Sequence, residues 1–271
     1  MSHERTYTRL VLAVLATVLA GFGVATVHSQ SEDFTDGRAD AEFHFARMIY
    51  RDQRGGGRGR FGGGFGGMGR GWWMQDWPDA ETHFRQGIMR LTRIDAGAAV
   101  QVDLHDGSVF DYPWLYATQA GFWDLSDAEI DTLREYLLRG GFFMTDDFWG
   151  SDEWDVFAEA MGRLFPQYPI VEITGGADEV LHVLYDVEVL TQIPGSRHLG
   201  YARDANGRLI GLPEPRWRGI YDDKGRLLVA ANFNQDIGDA WEHADDSFYP
   251  EPMTALAYRF GINYIIYAMT H

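Results

Sequence analysis

Ser126 to Trp149, SDAEIDTLREYLLRGGFFMTDDFW, constrains this chain more than any other segment. Ser126 and Glu129 have the spacing of a capping box, and Ile130, Leu133 and Leu137 form one apolar helical stripe. Gly140 lies where a left-handed residue closes a helix. The run from Phe142 to Thr145 then reads as a buried strand, and it ends on Asp146 and Asp147. A helix that returns directly into a strand of this kind is half of an α/β repeat. In open α/β sheets ligands bind outside the carboxyl ends of the strands, so the two aspartates lie where recognition or chemistry is expected.

Flanking segments fit the same architecture. Glu42 to Tyr50 has the aromatic content of a first strand. A helix is expected after Asp76-Trp77-Pro78, with Asp76 as its cap and Phe84, Ile88 and Leu91 as its buried stripe. Val100 to Leu104 and Val109 to Tyr112 bracket His105-Asp106-Gly107, which reads as a hairpin or tight turn. Trp114 to Thr118 and Ile170 to Ile173 read as strands, and Asp152 to Phe165 as a helix stopped by Pro166. Thr174 to Pro215, with a short helical piece at Val180 to Tyr185, reads as an irregular excursion over the strand ends. A hairpin, Trp217 to Tyr221 and Arg226 to Phe233, and a last helix, Met253 to Thr270, complete the pattern. Helices alternating with short apolar strands predict an α/β fold, a three-layer sandwich with a mostly parallel sheet.

The N-terminus divides from this domain. Arg5 and Arg9 precede an apolar run from Leu10 to Val27, and Val27-His28-Ser29 suits cleavage, so residues 1–29 read as a signal peptide or membrane anchor. Residues 30–41 read as a linker and 42–271 as the domain. The expected location is exported, periplasmic or anchored to the inner membrane facing the periplasm, with membrane contact only through the N-terminal segment. Gly55 to Gly71 holds eleven glycines, three arginines and two phenylalanines. Such a stretch buries too little apolar surface to offset its backbone entropy, and it reads as a loop.

Composition excludes several chemistries. The 271 residues carry 23 Lys and Arg against 40 Asp and Glu, a formal charge of -17, which argues against nucleic acid as a partner. Cysteine is absent, so no disulfide, thiolate metal site or cysteine nucleophile exists. The histidines at 83, 182, 198, 243 and 271 show no ligand spacing, and no metal site or cofactor is expected. The candidate catalytic residues are Asp146, Asp147, Glu242 and His243. Asn232, Asn234, Asp236, Asp239 and Trp241, directly after the strongest strand, are candidates for ligand binding. Their alternating oxygen donors could surround calcium, but the spacing is not that of an EF-hand, and asparagine and aspartate also favour turns.

Taken in order, FHFARMIY, DWPDAETHF with RLTRI, DYPWLY, LREYLLRGGFFMTDD, NFNQDIGDAWE and GINYIIYAMTH resemble the bacterial domain of unknown function 4159 family. The resemblance runs from about Phe43 to His271. It implies a divergent class I glutamine amidotransferase-like fold of flavodoxin-like topology, and no assigned activity. In that fold the nucleophile follows a central strand, which corresponds here to Thr145 to Asp147. Because amidotransferases need cysteine there, glutaminase chemistry through a thioester is ruled out. The expectation is therefore a non-catalytic module that binds a carbohydrate, an envelope component or a partner protein. The alternative is a hydrolase using the Asp146 and Asp147 carboxylates in place of the cysteine nucleophile.

Overall fold

Seven strands form one open sheet in the order β2-β1-β3-β4-β7-β6-β5. The structure, a computed structural model, describes residues 40–53, 71–205 and 209–271. The strands are β1 (Ala46–Ile49), β2 (Val100–Asp103), β3 (Trp114–Thr118), β4 (Phe142–Asp146), β5 (Ile170–Glu172), β6 (Arg216–Tyr221) and β7 (Leu227–Phe233). Neighbours from β2 through β1, β3 and β4 to β7 are parallel, while β6 is antiparallel to both β7 and β5. Every residue of β3, β4 and β7 is buried, as expected for central strands covered on both faces.

The helices are α1 (Asp79–Leu91), α2 (Asp127–Leu138), α3 (Gly150–Leu164), α4 (Ile237–Glu242) and α5 (Glu251–Thr270). One face of the sheet packs on α1, α4 and α5, through Phe84, Ile88, Trp241, Phe260 and Tyr264. The other packs on α2 and α3, through Ile130, Leu133, Phe157 and Met161. Alternation along the strands sends Trp114, Tyr116, Phe142 and Met144 to the first core and Leu115, Ala117 and Phe143 to the second. The result is an α/β domain with an open, mostly parallel sheet between helices.

Local signals account for the element ends. The Ser126 hydroxyl accepts from the Glu129 N–H, and the Glu129 carboxylate accepts from the Ser126 N–H at 2.7 Å, so the capping box forms. Gly140 takes φ +112° at the end of α2. The β6–β7 hairpin turns at Asp222, whose Oδ1 accepts from the N–H groups of Lys224 and Arg226, both at 2.9 Å.

Several expectations are corrected. Asp76 does not cap α1: its backbone is left-handed (φ 64°), the cap position is Pro78, and its carboxylate lies against the start of α4, with Oδ2 2.9 Å from where a Gly238 Cβ would stand. Leu91 is 51% exposed, so the buried stripe of α1 ends at Ile88. Val109 to Tyr112 is no strand; Ser108–Asp111 is a 3-10 turn, and β2 pairs in parallel with β1. The expected membrane anchor is not found: among the described residues no helix is long and apolar enough to cross a membrane. The longest helix, α5, has twenty residues but includes Arg259, Asn263 and three tyrosines. Leu10 to Val27 lies outside the described residues, as does the glycine-rich loop apart from Gly71.

Candidate functional site

At the carboxyl end of the parallel strands the backbone departs from its ordinary conformations. Asp76, Gln119, Asp147 and Asn234 are the four non-glycine residues with positive φ among those described, at 64°, 56°, 49° and 59°. Gln119 follows β3, Asp147 follows β4 and Asn234 follows β7, so the unusual conformations share one rim. Positive φ costs on the order of 1 kcal/mol per residue outside glycine and persists where surrounding structure enforces it. Here the three loops enforce one another. The Gln119 N–H donates to the Asp146 carbonyl at 3.0 Å, the Asp147 N–H to the Gln235 carbonyl at 2.9 Å, and the Asn234 N–H to the Phe148 carbonyl at 3.0 Å.

The adjacent aspartates have different environments. Asp146 is fully buried; Oδ1 accepts from the Tyr116 hydroxyl at 2.5 Å, and Oδ2 accepts from the N–H groups of Ile237 and Gly238 at 2.7 and 2.9 Å. It thereby ties β3, β4 and the start of α4 together. Burial pushes its pKa up to about 6, opposed by those three donors and by Arg47. Asp147 begins the sharp turn from β4 into α3. Its Oδ1 accepts from the Trp149 indole at 2.7 Å and lies 3.3 Å from the Arg197 guanidinium, and its Oδ2 accepts from the Gln119 amide. Burial pushes Asp147 up to about 8; Arg197 opposes the shift, and Asp239 and Asp146 add to it.

More carboxylates converge beside this pair. Asp236 caps α4, its Oδ1 accepting from the Asp239 N–H at 2.9 Å, and Asp239 Oδ2 accepts from the Ser196 N–H at 2.6 Å. Asp76 is brought in from the other side. Arg47 on β1, paired with Glu81 inside the core, donates to the carbonyls of Trp73 and Gln75 at 3.2 and 3.1 Å and so fixes the strap that ends at Asp76. Asp76, Asp236 and Asp239 each offer an oxygen within 4.8 Å of the others. Burial drives the pKa values of Asp76 and Asp236 well above the carboxylate range, and the neighbouring acids add to it. A second group, Asp239, Glu242 and His243, meets the same distance at the C-terminal end of α4. Burial, with Asp239 adding to it, pushes Glu242 up to about 7.

Pro194 to His198 crosses over these carboxylates. Gly195 permits the approach: a Cβ there would stand 2.7 Å from Asp236 Oδ2 and 3.1 Å from Asp239 Oδ2. Arg197, with 59% of its side chain exposed, reaches from the solvent side to Asp147, which is 97% buried. His198 packs edge-on against Trp149 with ring centres 4.8 Å apart, and burial lowers its pKa to about 4, with Arg197 acting in the same direction. Beyond Asn234, on the same rim, a cleft of about 610 Å³ is lined by Glu172, Gln192, Glu214, Arg216 and Trp217. The strand ends therefore carry a layered arrangement: a held aspartate, a second aspartate under an arginine, and a group of acids beside them.

A family model described as a domain of unknown function, DUF4159, matches residues 64–269 of this chain. The chain belongs to that family. No curated protein matches it. In this DUF4159 domain the structure brings together Asp146, Asp147, Asp236 and Asp239 from the sequence-derived candidates, with Glu242 and His243 at the margin. It places Asn232, Asn234 and Trp241 differently. The Asn232 amide donates to the Thr145 carbonyl and accepts from the Tyr264 hydroxyl, inside the core. Asn234 accepts from the Gly150 N–H at 2.9 Å and donates to the Glu214 carbonyl at 2.7 Å. Trp241 stacks on Phe84 with ring centres 4.1 Å apart and is fully buried.

Sequence reasoning missed Asp76, Tyr116, Gln119, Glu153 and Arg197. Glu153, in the first turn of α3, accepts from the Trp149 N–H at 2.6 Å, and burial pushes it up to about 7. Arg197 was within reach, because the stretch containing it reads as an excursion over strand ends. Asp76 gave the wrong signal, since an aspartate shortly before a proline and a helix resembles a cap.

Proposed function

We propose that this domain is a hydrolase in which Asp147 stands where an amidotransferase-like sheet would carry its cysteine. This favours the hydrolytic alternative over a passive binding module. The observation that carries the reading is the setting of Asp147: a left-handed residue at a strand-to-helix turn, buried, and beneath one half-exposed arginine. Strand–turn–helix corners of this kind display nucleophiles and bases in α/β enzymes. The five parallel strands, in the order β2-β1-β3-β4-β7, support a flavodoxin-like arrangement of that class.

The chemistry assigned to the centre is general-base hydrolysis. Asp147 takes the proton of a water whose oxygen attacks the substrate, and returns that proton to the leaving group. A carboxyl pushed to about 8 can hold either state near neutral pH. Gln119 and Trp149 orient its oxygens, and Arg197, beside it, is assigned to stabilise negative charge that develops on the substrate. Asp146 is assigned a positioning role, because it is fully buried with Tyr116 and the start of α4 as its partners, whereas Asp147 meets a half-exposed arginine. No cysteine is present, so no step passes through a thioester.

The test is hydrolysis of a chromogenic panel of esters, amides, glycosides and phosphoesters by the wild type and by Asp147→Asn. Turnover of at least one class, reduced about 10²-fold or more in a folded Asp147→Asn protein, is the expected result. Equal turnover by both would remove Asp147 from the chemistry. We also infer that the domain acts outside the cytoplasm, from the arginines and apolar run ahead of it. A reporter fused after residue 29 that stays in the cytoplasm would contradict this.

A further inference from the structure

We propose that Asp76, Asp236 and Asp239 form a binding site for one hard divalent cation of the calcium, magnesium or manganese class. The three carboxylates come from two separate parts of the chain, the strap before α1 and the start of α4, and are 6%, 2% and 7% exposed. One oxygen of each lies within 4.8 Å of the other two. Oxygens on opposite sides of a calcium ion at about 2.4 Å stand about that far apart, and closer pairs are neighbours in the same shell. Donors orient these groups, with Gln75 on Asp76 Oδ1, the Asp239 N–H on Asp236 Oδ1 and the Ser196 N–H on Asp239 Oδ2.

Two unpartnered atoms point to a missing ligand. Asp76 Oδ2 is buried and accepts no hydrogen bond. A buried carboxylate oxygen without a donor costs on the order of several kcal/mol unless a cation or water meets it. Outside the trio, His198 is 92% buried and its Nδ1 has no partner. That nitrogen, Asp236 Oδ2 and Asp239 Oδ2 all lie within 3.4 Å of the point where a Gly195 Cβ would stand. Because Arg197 Nε donates to His198 Nε2 at 3.3 Å, the imidazole proton belongs on Nδ1. An N–H facing the carboxylates suits a water on the cation rather than the cation itself.

The neighbouring arginines act on these acids only through space and bond other groups. Arg47 is turned to Glu81 and the strap carbonyls, and Arg197 to Asp147. The overlapping group of Asp239, Glu242 and His243 is a weaker candidate, since His243 Nδ1 is already bonded to Asp246 Oδ2 at 2.7 Å and the last two residues are only half-buried. All-oxygen donors select hard ions over zinc or copper. This inference deepens the hydrolytic reading, because a cation here would hold water beside Asp147. It stands or falls separately.

The full chain, stripped with chelator, is titrated with Mn2+ by electron paramagnetic resonance, with Ca2+ and Mg2+ as competitors. The expected result is one Mn2+ per chain, displaced by Ca2+ or Mg2+, with affinity lowered about tenfold or more in Asp76→Asn. No binding by the wild type up to about 1 mM, the weak end of protein calcium sites, overturns the proposal. So does equal affinity in Asp76→Asn. If that variant does not fold, Asp239→Asn is read in the same way. Cation binding without hydrolysis would keep this site and remove the enzyme, and chelator-resistant hydrolysis without binding would do the reverse.

Discussion

Asp146 and Asp147 are chain neighbours held by different partners. Asp146 is held by a hydroxyl and two helix-start N–H groups, and each of those donors would be stranded without it. Tyr116→Phe therefore removes a charge-assisted hydrogen bond from a fully buried carboxylate. The expected cost is about 1.5–3 kcal/mol, measured by urea unfolding. A change within error would show that the 2.5 Å contact contributes nothing. At this scale the sequence was only partly informative. The Asp-Asp pair was legible as a strand end, but strand alternation cannot tell which aspartate is held and which faces the arginine. Tyr116 was hidden as one aromatic among many in a buried strand. Asn232 and Asn234 looked like ligand groups, yet the backbone of neighbouring strands and loops takes up their amides.

Elements were more legible where local and tertiary signals agree. The α2 capping box and the β6–β7 hairpin depend on residues a few positions apart, and both form as read. Ser126→Ala removes one half of that box, with an expected loss of about 1 kcal/mol in urea unfolding. A loss below the error of the measurement would mean that Glu129 alone caps the helix. Where pairing is long-range, the reading failed. His105-Asp106-Gly107 reads as a hairpin or tight turn; the turn forms, but Val109 to Tyr112 is no strand, and β2 finds its partner in β1, more than fifty residues away. The segment from Gln192 to His198 has no regular pattern beyond a short 3-10 turn at its end. Its position over the carboxylates is fixed by Tyr249 bonding the Pro194 carbonyl at 2.6 Å and by Ser196 bonding Asp239. No periodicity announces such contacts.

For the whole molecule, the α/β class follows from alternating helices and strands, while the site arises from loops that meet only when β3, β4 and β7 lie side by side. Gathering acids there has a measurable consequence. Asp146, Glu153 and Asp147 are pushed to about 6, 7 and 8, so the folded chain keeps protons that the unfolded chain has lost. Each contributes stability that is present at low pH and lost as pH rises from the ordinary carboxylate range toward 8. Asp147 faces Arg197, Gln119 and Trp149 as well as Asp146 and Asp239, and desolvation still outweighs the arginine. A site kept for chemistry rather than stability should therefore relax when that charge is removed. The most direct measurement is equilibrium unfolding of wild type and Asp147→Asn, both free of divalent ions, at pH 5 and pH 9. Asparagine tolerates the left-handed turn, so the account predicts that the variant gains on the wild type as pH rises and is the more stable protein at pH 9. A variant less stable than wild type by the same margin at both pH values would make Asp147 a structural hub and contradict the account.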